Sequence, residues 1–306
     1  MGDQWRMKTK ITDKKLFLGL LILLMGSIWG LSFLATNIAM SRFAPIQTLT
    51  LRWTSAALVF LVLAATGRIR LPGKTPGLGF LLATGAAMPC VYGLFEAPGI
   101  RMTSVSESGV IIGSMPIFSL LIERLIRRKR TDWLTVAGIL ICFGGVVICT
   151  VLTPGFTVSG RLLGYVLLLV AVMAGAAYMH FSSRAGAWYT SAQITAAMAV
   201  MGCVFFNALN LIEGYGPDTY RDCFQHPEAG LACLFLGVLC SSLCYLLMNY
   251  VLSKVENTAV ASNLGNSWTT VVAVVSGVVM GDPFGWYTAV GLALIVAGLF
   301  LCARKV

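Results

Sequence analysis

The sequence predicts an all-α integral membrane protein: ten transmembrane helices, arranged as two inverted five-helix repeats, with both termini cytoplasmic. Three observations lead there. Of 306 residues, 58% are hydrophobic and 11% charged, against about 25% charged in a soluble domain, and mean hydropathy is +0.84. Ionisable residues bound a series of apolar stretches, each near the ~20 residues that a helix needs to cross a bilayer. The two halves of the chain partly overlay at a shift of 153 residues.

The elements follow in order. A basic segment, 1–15, precedes the first span, near 16–36. That run is longer than the apolar region of a signal peptide and lacks an A-x-A site, so it reads as an uncleaved helix. The second span, 45–66, contains Arg52; the third, 77–97, carries Glu96 near its outer end; the fourth, 104–123, contains Glu107 and Pro116. The fifth, 133–152, completes a first repeat over 16–152, and an outer loop, 153–161, follows. The second repeat, 162–303, holds spans near 162–181, 190–212, 229–252, 258–280 and 284–303, and 304–306 is a cytoplasmic tail. The longest connection is 213–228. Runs of this length exceed the 9–11 residues of a barrel strand. A helix also satisfies its own backbone hydrogen bonds in lipid.

Orientation comes from the basic residues. Of 22 Lys and Arg, seventeen fall on the side of the termini and four on the other, with Arg52 inside a span. The positive-inside rule then places the termini in the cytoplasm. The net charge of +10 reports this bias and does not point to nucleic acid. Eight of nine cysteines lie within spans, and Cys223 lies in the outer connection. Cys240 and Cys244 share a helix face, but with two histidines in the chain a metal site is not expected. Neither a catalytic residue nor a cofactor is expected. There is no HExxH sequence, no second intramembrane aspartate to pair with Asp282, and no GxxxxGK[ST] phosphate loop. ATP-driven transport within this chain is thereby excluded.

At the shift of 153, Tyr92 meets Tyr245, Trp133 meets Trp286, Gly138 meets Gly291 and Gly145 meets Gly298. Five spans per half is an odd number, so the second half enters the membrane inverted, as in many secondary transporters. Further motifs run along the chain: Trp29-Gly30 then Ser32-Phe33, LRWTSAALVFL (51–61), Thr103-Ser104 and Pro116, AGAAY (174–178), SSLCYLLMNYVL (241–252) and Gly281-Asp282. In order and spacing these resemble the EamA-type ten-helix branch of the drug/metabolite transporter superfamily. Two positions depart from its pattern: Arg128-Lys129 stands where Gly-Glu follows the fourth helix, and Thr269 where the ninth carries proline. The resemblance implies a secondary active or facilitative transporter of a small organic metabolite (an amino acid, an analogue or an amphiphilic drug-like compound). Export by alternating access is expected, from a multi-pass position in a bacterial inner membrane. The alternative is a channel or a non-transporting membrane receptor. The partners expected are the small-molecule substrate and the lipid bilayer; oligomeric state is open.

Polar groups inside spans are costly and mark candidate sites. Glu96 and Glu107 are the candidates for proton coupling, and passive flow is equally open. Substrate-cavity candidates are Trp29, Tyr92, Glu96, Tyr178, Tyr245, Asn249, Asn263, Asn266 and Trp268. The aromatics offer stacking faces and the amides hydrogen bonds. At the shift of 153, Glu96 corresponds to Asn249. Pro116 is expected to bend the fourth helix. Arg52 reads as a buried partner for an acid, with carboxylate binding as the other reading.

Overall fold

The computed structural model describes residues 2–102, 111–127, 132–152, 154, 158, 162–255, 257–279 and 284–303. Glu107, Thr103-Ser104, Arg128-Lys129 and Gly281-Asp282 lie outside these residues. Among the described residues every regular element is helical. We number them α1 (Gly2–Met40), α2 (Pro45–Ala65), α3 (78–102), α4 (Met115–Arg127), α5 (Trp133–Val151), α6 (Leu162–Ala185), α7 (Ser191–Ile212), α8 (Asp218–Gln225), α9 (Pro227–Lys254), α10 (Thr258–Val279) and α11 (Trp286–Ala303).

Among the described residues, six helices are long and apolar enough to cross a membrane: Phe17–Met40 of α1, α2, Leu78–Gly99 of α3, α6, α7 and α9. Shorter apolar stretches lie in α5 and α11, at Trp133–Cys149 and Trp286–Cys302. Their exterior is built for lipid. Leu58, Leu61 and Val62 on α2, and Leu163 and Val166 on α6, are exposed, whereas Thr50, Ser241, Asn249 and Asn263 are buried. A surface this apolar needs a partner that is not water.

Local sequence explains the helix ends. Pro45 opens α2, where its fixed φ suits a first turn and its missing N–H costs nothing. The Gln47 side chain accepts from the Ala44 N–H at 2.9 Å. Beyond α2, Gly67 takes a φ of +71°, the left-handed conformation that closes a helix C-terminus. Thr190 and Gln193 form a capping box at the start of α7.

Two departures from the sequence reading matter. The connection 213–228 contains α8, a short helix with Asp218 in its first turn, where a negative charge is favourable. Tyr220 and Cys223 pack inward while Phe224 is exposed. The second departure is that α3 and α9 each contain a π-helical stretch, Ala86–Tyr92 and Phe235–Cys244. At the shift of 153 the first falls on 239–245 and overlaps the second. In α3 the cause is Pro89, which has no N–H and would clash with the carbonyl four residues back; a wider turn removes the clash. In α9, Gly237 lies against α2, where a Cβ would meet the Arg52 carbonyl and the Ser55 side chain. Ser242 Oγ donates to the Gly237 carbonyl, five residues earlier, at 3.0 Å.

Helices of one half pack on helices of the other. On α5 and α11, a Cβ on Gly138 would meet the Gly298 carbonyl, and one on Gly145 the Gly291 carbonyl. Residue numbers rise on one helix as they fall on the other, so the pair is antiparallel. The shift of 153 turns the 138·298 contact into the 145·291 contact. α2 and α7 meet through Thr50 Oγ1 donating to the Phe206 carbonyl at 3.0 Å and Asn207 Nδ2 donating to Thr54 Oγ1 at 3.0 Å. α1 and α10 run parallel, joined at Gly26 and Gly30, which face Trp268 and Val272. Pro116 stands at the start of α4, immediately after the helical turn 111–113 gives way at Ser114. Its ring therefore sits at a helix start, where proline is tolerated.

Candidate substrate cavity

Between the halves lies a cavity of 230 Å³ walled by α1, α2, α3, α4, α6, α9 and α10. It runs from Met40 and Thr48, beside the α1–α2 connection, to Tyr178 and Tyr245 in the interior. Drug-sized ligands occupy pockets of roughly 300–1,000 Å³, so this space suits a smaller solute.

Aromatic rings form its floor. Tyr245 packs edge-on to Trp29 at 5.5 Å and to Tyr178 at 5.8 Å, and stacks on Trp53 at 5.9 Å. The Trp29 indole donates to the Cys240 carbonyl at 3.3 Å, tying α1 to the π stretch of α9. Met88, Met115 and Met179 add soft, adaptable apolar surface.

Among the described residues, one acidic and one basic side chain line this space. Glu96 on α3 accepts from the Tyr92 hydroxyl at 2.7 Å, one helical turn away. Arg52 on α2 donates from Nε to Ser241 Oγ at 2.6 Å, with its guanidinium 5.8 Å from the Trp53 ring centre. Among the described residues no carboxylate lies within 4.0 Å of Arg52. The expected buried pair with an acid is thus replaced by a serine and an aromatic face. Both side chains line the cavity, one from α2 and one from α3.

Of the residues nominated from sequence, Trp29, Tyr92, Glu96, Tyr178, Tyr245 and Asn266 line the cavity. Asn266 Nδ2 donates to the Ser262 carbonyl at 3.0 Å. Three others lie outside the wall. Asn249 is fully buried toward the opposite end of the bundle. Its Oδ1 accepts from Tyr178 Oη at 2.8 Å and Ser182 Oγ at 2.7 Å, and its Nδ2 donates to Thr195 Oγ1 at 2.8 Å. Asn263 Nδ2 donates to Cys142 Sγ and Cys302 Sγ at 3.4 and 3.3 Å, holding α5, α10 and α11 together. Trp268 donates to Ser27 Oγ at 3.0 Å and packs on Gly26. Glu107 lies outside the described residues. Cavity residues that the sequence reading passed over include Thr48 and the methionines. Thr48 precedes Arg52 by one turn on the same helix face, a spacing visible in the sequence.

The opposite end is closed by polar contacts. Besides the Asn249 cluster, buried Glu123 accepts from Thr258 Oγ1 and the Ala259 N–H, both at 3.3 Å, at the start of α10. These contacts sit at the N-terminus of α10, where a negative charge is favourable. Tyr189 Oη donates to the Gly73 carbonyl at 2.8 Å.

Comparison with known proteins gives a concordant result. The profile of the EamA-like transporter family matches twice, at residues 16–151 and 162–304. An uncharacterized transporter of Bacillus subtilis, YcxC, is 28% identical over 89% of this chain and 88% of its own length. An uncharacterized transporter of Archaeoglobus fulgidus is 26% identical over 91% of this chain and 96% of its own. A probable terminal-alkyne amino-acid exporter of Streptantibioticus cattleyicolor is 23% identical over 90% of each chain. A solved crystal structure superposes with a TM-score of 0.76 over 93% of this chain and 97% of that one, at 17% identity, which speaks to the fold alone.

Proposed function

The chain belongs to the EamA-like transporter family, and on that premise we propose that it is a secondary transporter of a small amino-acid-like metabolite, working in the export direction by alternating access. The observation that carries this is the cavity between the two halves, lined by both Arg52 and Glu96, each hydrogen-bonded to a neutral partner. A zwitterion offers a carboxylate to the guanidinium and an ammonium to the carboxylate. The methionines and aromatic rings receive an apolar side chain. The amino-acid exporter among the relatives supports the same class.

The proposed topology has ten spans in two inverted repeats, over 16–152 and 162–303, with the termini in the cytoplasm of a bacterial cell and the protein in its inner membrane. The antiparallel α5–α11 contact, exchanged with itself at the shift of 153, supports the inversion. In this orientation the α1–α2 connection is external. The cavity then faces outward, and the Asn249 cluster, Glu123 and Tyr189 close the inner side. Glu96, beside Tyr92, is the group through which a proton gradient is coupled.

Counterflow in proteoliposomes tests the proposal, using a panel of amino acids, amines, nucleosides and nucleotide sugars, with and without a pH gradient. The reading requires saturable exchange of amino acids, accelerated by the gradient in the wild type and not in Glu96→Gln. Exchange indifferent to both would leave a facilitator with Glu96 structural. Exchange confined to nucleosides or nucleotide sugars would overturn the substrate class.

A further inference from the structure

Thr48 is 2% exposed and stands on the cavity wall, and its Oγ1 has no hydrogen-bond partner. Its neighbours in α2 are satisfied. Thr50 donates to the Ile46 carbonyl at 2.8 Å, and Ser55 to the Leu51 carbonyl at 2.8 Å. A buried hydroxyl without a partner costs about as much as a lost hydrogen bond, so one turn of α2 holds a donor set aside. One turn later on the same face is Arg52. Its Nε is committed to Ser241 Oγ, and among the described residues no acceptor is within hydrogen-bond distance of its terminal Nη groups. Two parallel N–H donors at the end of a guanidinium match the two oxygens of a carboxylate.

We propose that Thr48 and Arg52 form the carboxylate subsite of the transported solute, the Nη groups clasping both oxygens and the Thr48 hydroxyl donating to one of them. The inference rests on the transporter reading above and assigns a specificity-determining residue within it. Ser241 is the positioning residue that turns the open end of the guanidinium toward the cavity. The subsite selects a planar anion, while Glu96 meets the opposite charge.

The test separates this subsite from the transporter reading. L-leucine, L-leucinamide (no carboxylate) and 4-methylpentanoate (no ammonium) are titrated calorimetrically into purified wild type, Thr48→Val and Thr48→Ser. Leucine and 4-methylpentanoate should bind about 10-fold more weakly to Thr48→Val. Leucinamide should bind equally to both proteins, and Thr48→Ser should restore the wild-type affinities. Because the hydroxyl has no partner within the protein, Thr48→Val should unfold no more readily than wild type; a lowered unfolding midpoint would mark Thr48 as structural and overturn the proposal. Equal wild-type affinity for leucine and leucinamide, or no binding of either carboxylate probe, overturns it too. Counterflow of the same probes judges the transport reading independently. Carboxylate-dependent binding without counterflow upholds the subsite and refutes transport. Leucinamide counterflow without carboxylate preference does the reverse.

Discussion

Replacing Asn249 by alanine removes one side chain that holds three helices. Its amide joins Tyr178 and Ser182 of α6 and Thr195 of α7 to α9 through three hydrogen bonds of 2.7–2.8 Å. Interhelical hydrogen bonds in membrane proteins average about 0.6 kcal/mol each, which gives about 2 kcal/mol for the three. The partners do not suffer equally. Thr195 keeps its donor bond to the Ser191 carbonyl at 2.8 Å, and Ser182 has the carbonyl of residue 178 within reach. Tyr178 is fully buried, so its hydroxyl is left without an acceptor and adds a penalty of about 1 kcal/mol or more. Asn249→Ala should therefore destabilise the protein by about 2–4 kcal/mol, measured by SDS-induced unfolding in mixed micelles. Tyr178→Phe removes a donor and orphans nothing, since Oδ1 keeps Ser182; it should cost less than about 1 kcal/mol. The double variant should cost less than the sum of the singles, because the residues share a bond. If Asn249→Ala lies within about 0.5 kcal/mol of wild type, the cluster is not what holds this end shut.

Other expectations follow from single contacts. A Cβ on Gly145 would lie 2.6 Å from the Gly291 carbonyl and 2.9 Å from the Ile295 nitrogen, both backbone atoms. Gly145→Ala should therefore lower stability by about 1–3 kcal/mol in the same micelle titration. Next to it, Gly144 has nothing within 4 Å of its Cβ position, so Gly144→Ala should be neutral or gain up to about 1 kcal/mol. Tyr220 meets Asn207 Oδ1 at 2.6 Å and Thr54 at 3.0 Å. Tyr220→Phe should speed hydrogen exchange in α8 while leaving the α5–α11 pair unchanged. Burial pushes the Cys223 thiol up from its ordinary pKa. The thiolate is the reactive form, so maleimide labelling at pH 8 should be slower than for a free cysteine and should keep rising at more alkaline pH. Unfolding in SDS should remove the difference.

The helices were legible because lipid leaves the backbone few choices: an apolar run of sufficient length has to satisfy itself. The same rule says only that a polar side chain in a span needs a partner, not whether that partner is a solute or a neighbouring helix. Trp29, Tyr92, Glu96 and Asn266 face the cavity, while Asn249, Asn263 and Trp268, of similar kinds, face other helices. Which way each turns is set by tertiary packing. The π stretches were hidden for a related reason: Pro89 signals a disturbed turn, but Phe235–Cys244 contains no proline, and the Gly237 approach to α2 within it is visible only in the fold. Arg52 showed its charge in the sequence, yet its partner, Ser241, stands 189 positions away. The α8 helix was concealed by its shortness, though Tyr220 and Cys223, three residues apart, have the spacing of one helix face.

The α5–α11 contact has the form of an isologous dimer interface made covalent. In such an interface, if residue i of one subunit touches j of the other, then j touches i. The glycine pairs 138·298 and 145·291 obey this relation after translation by the repeat shift. A true homodimer repeats every substitution on both sides of its axis. A fused chain is released from that bond. Glu96 lines the cavity, while the matching place at the shift of 153 carries Asn249, an amide whose hydrogen bonds hold helices together. On the proposed function, the two halves of the fused chain divide two tasks, charge recognition and closure, that a symmetric pair performs with the same residue.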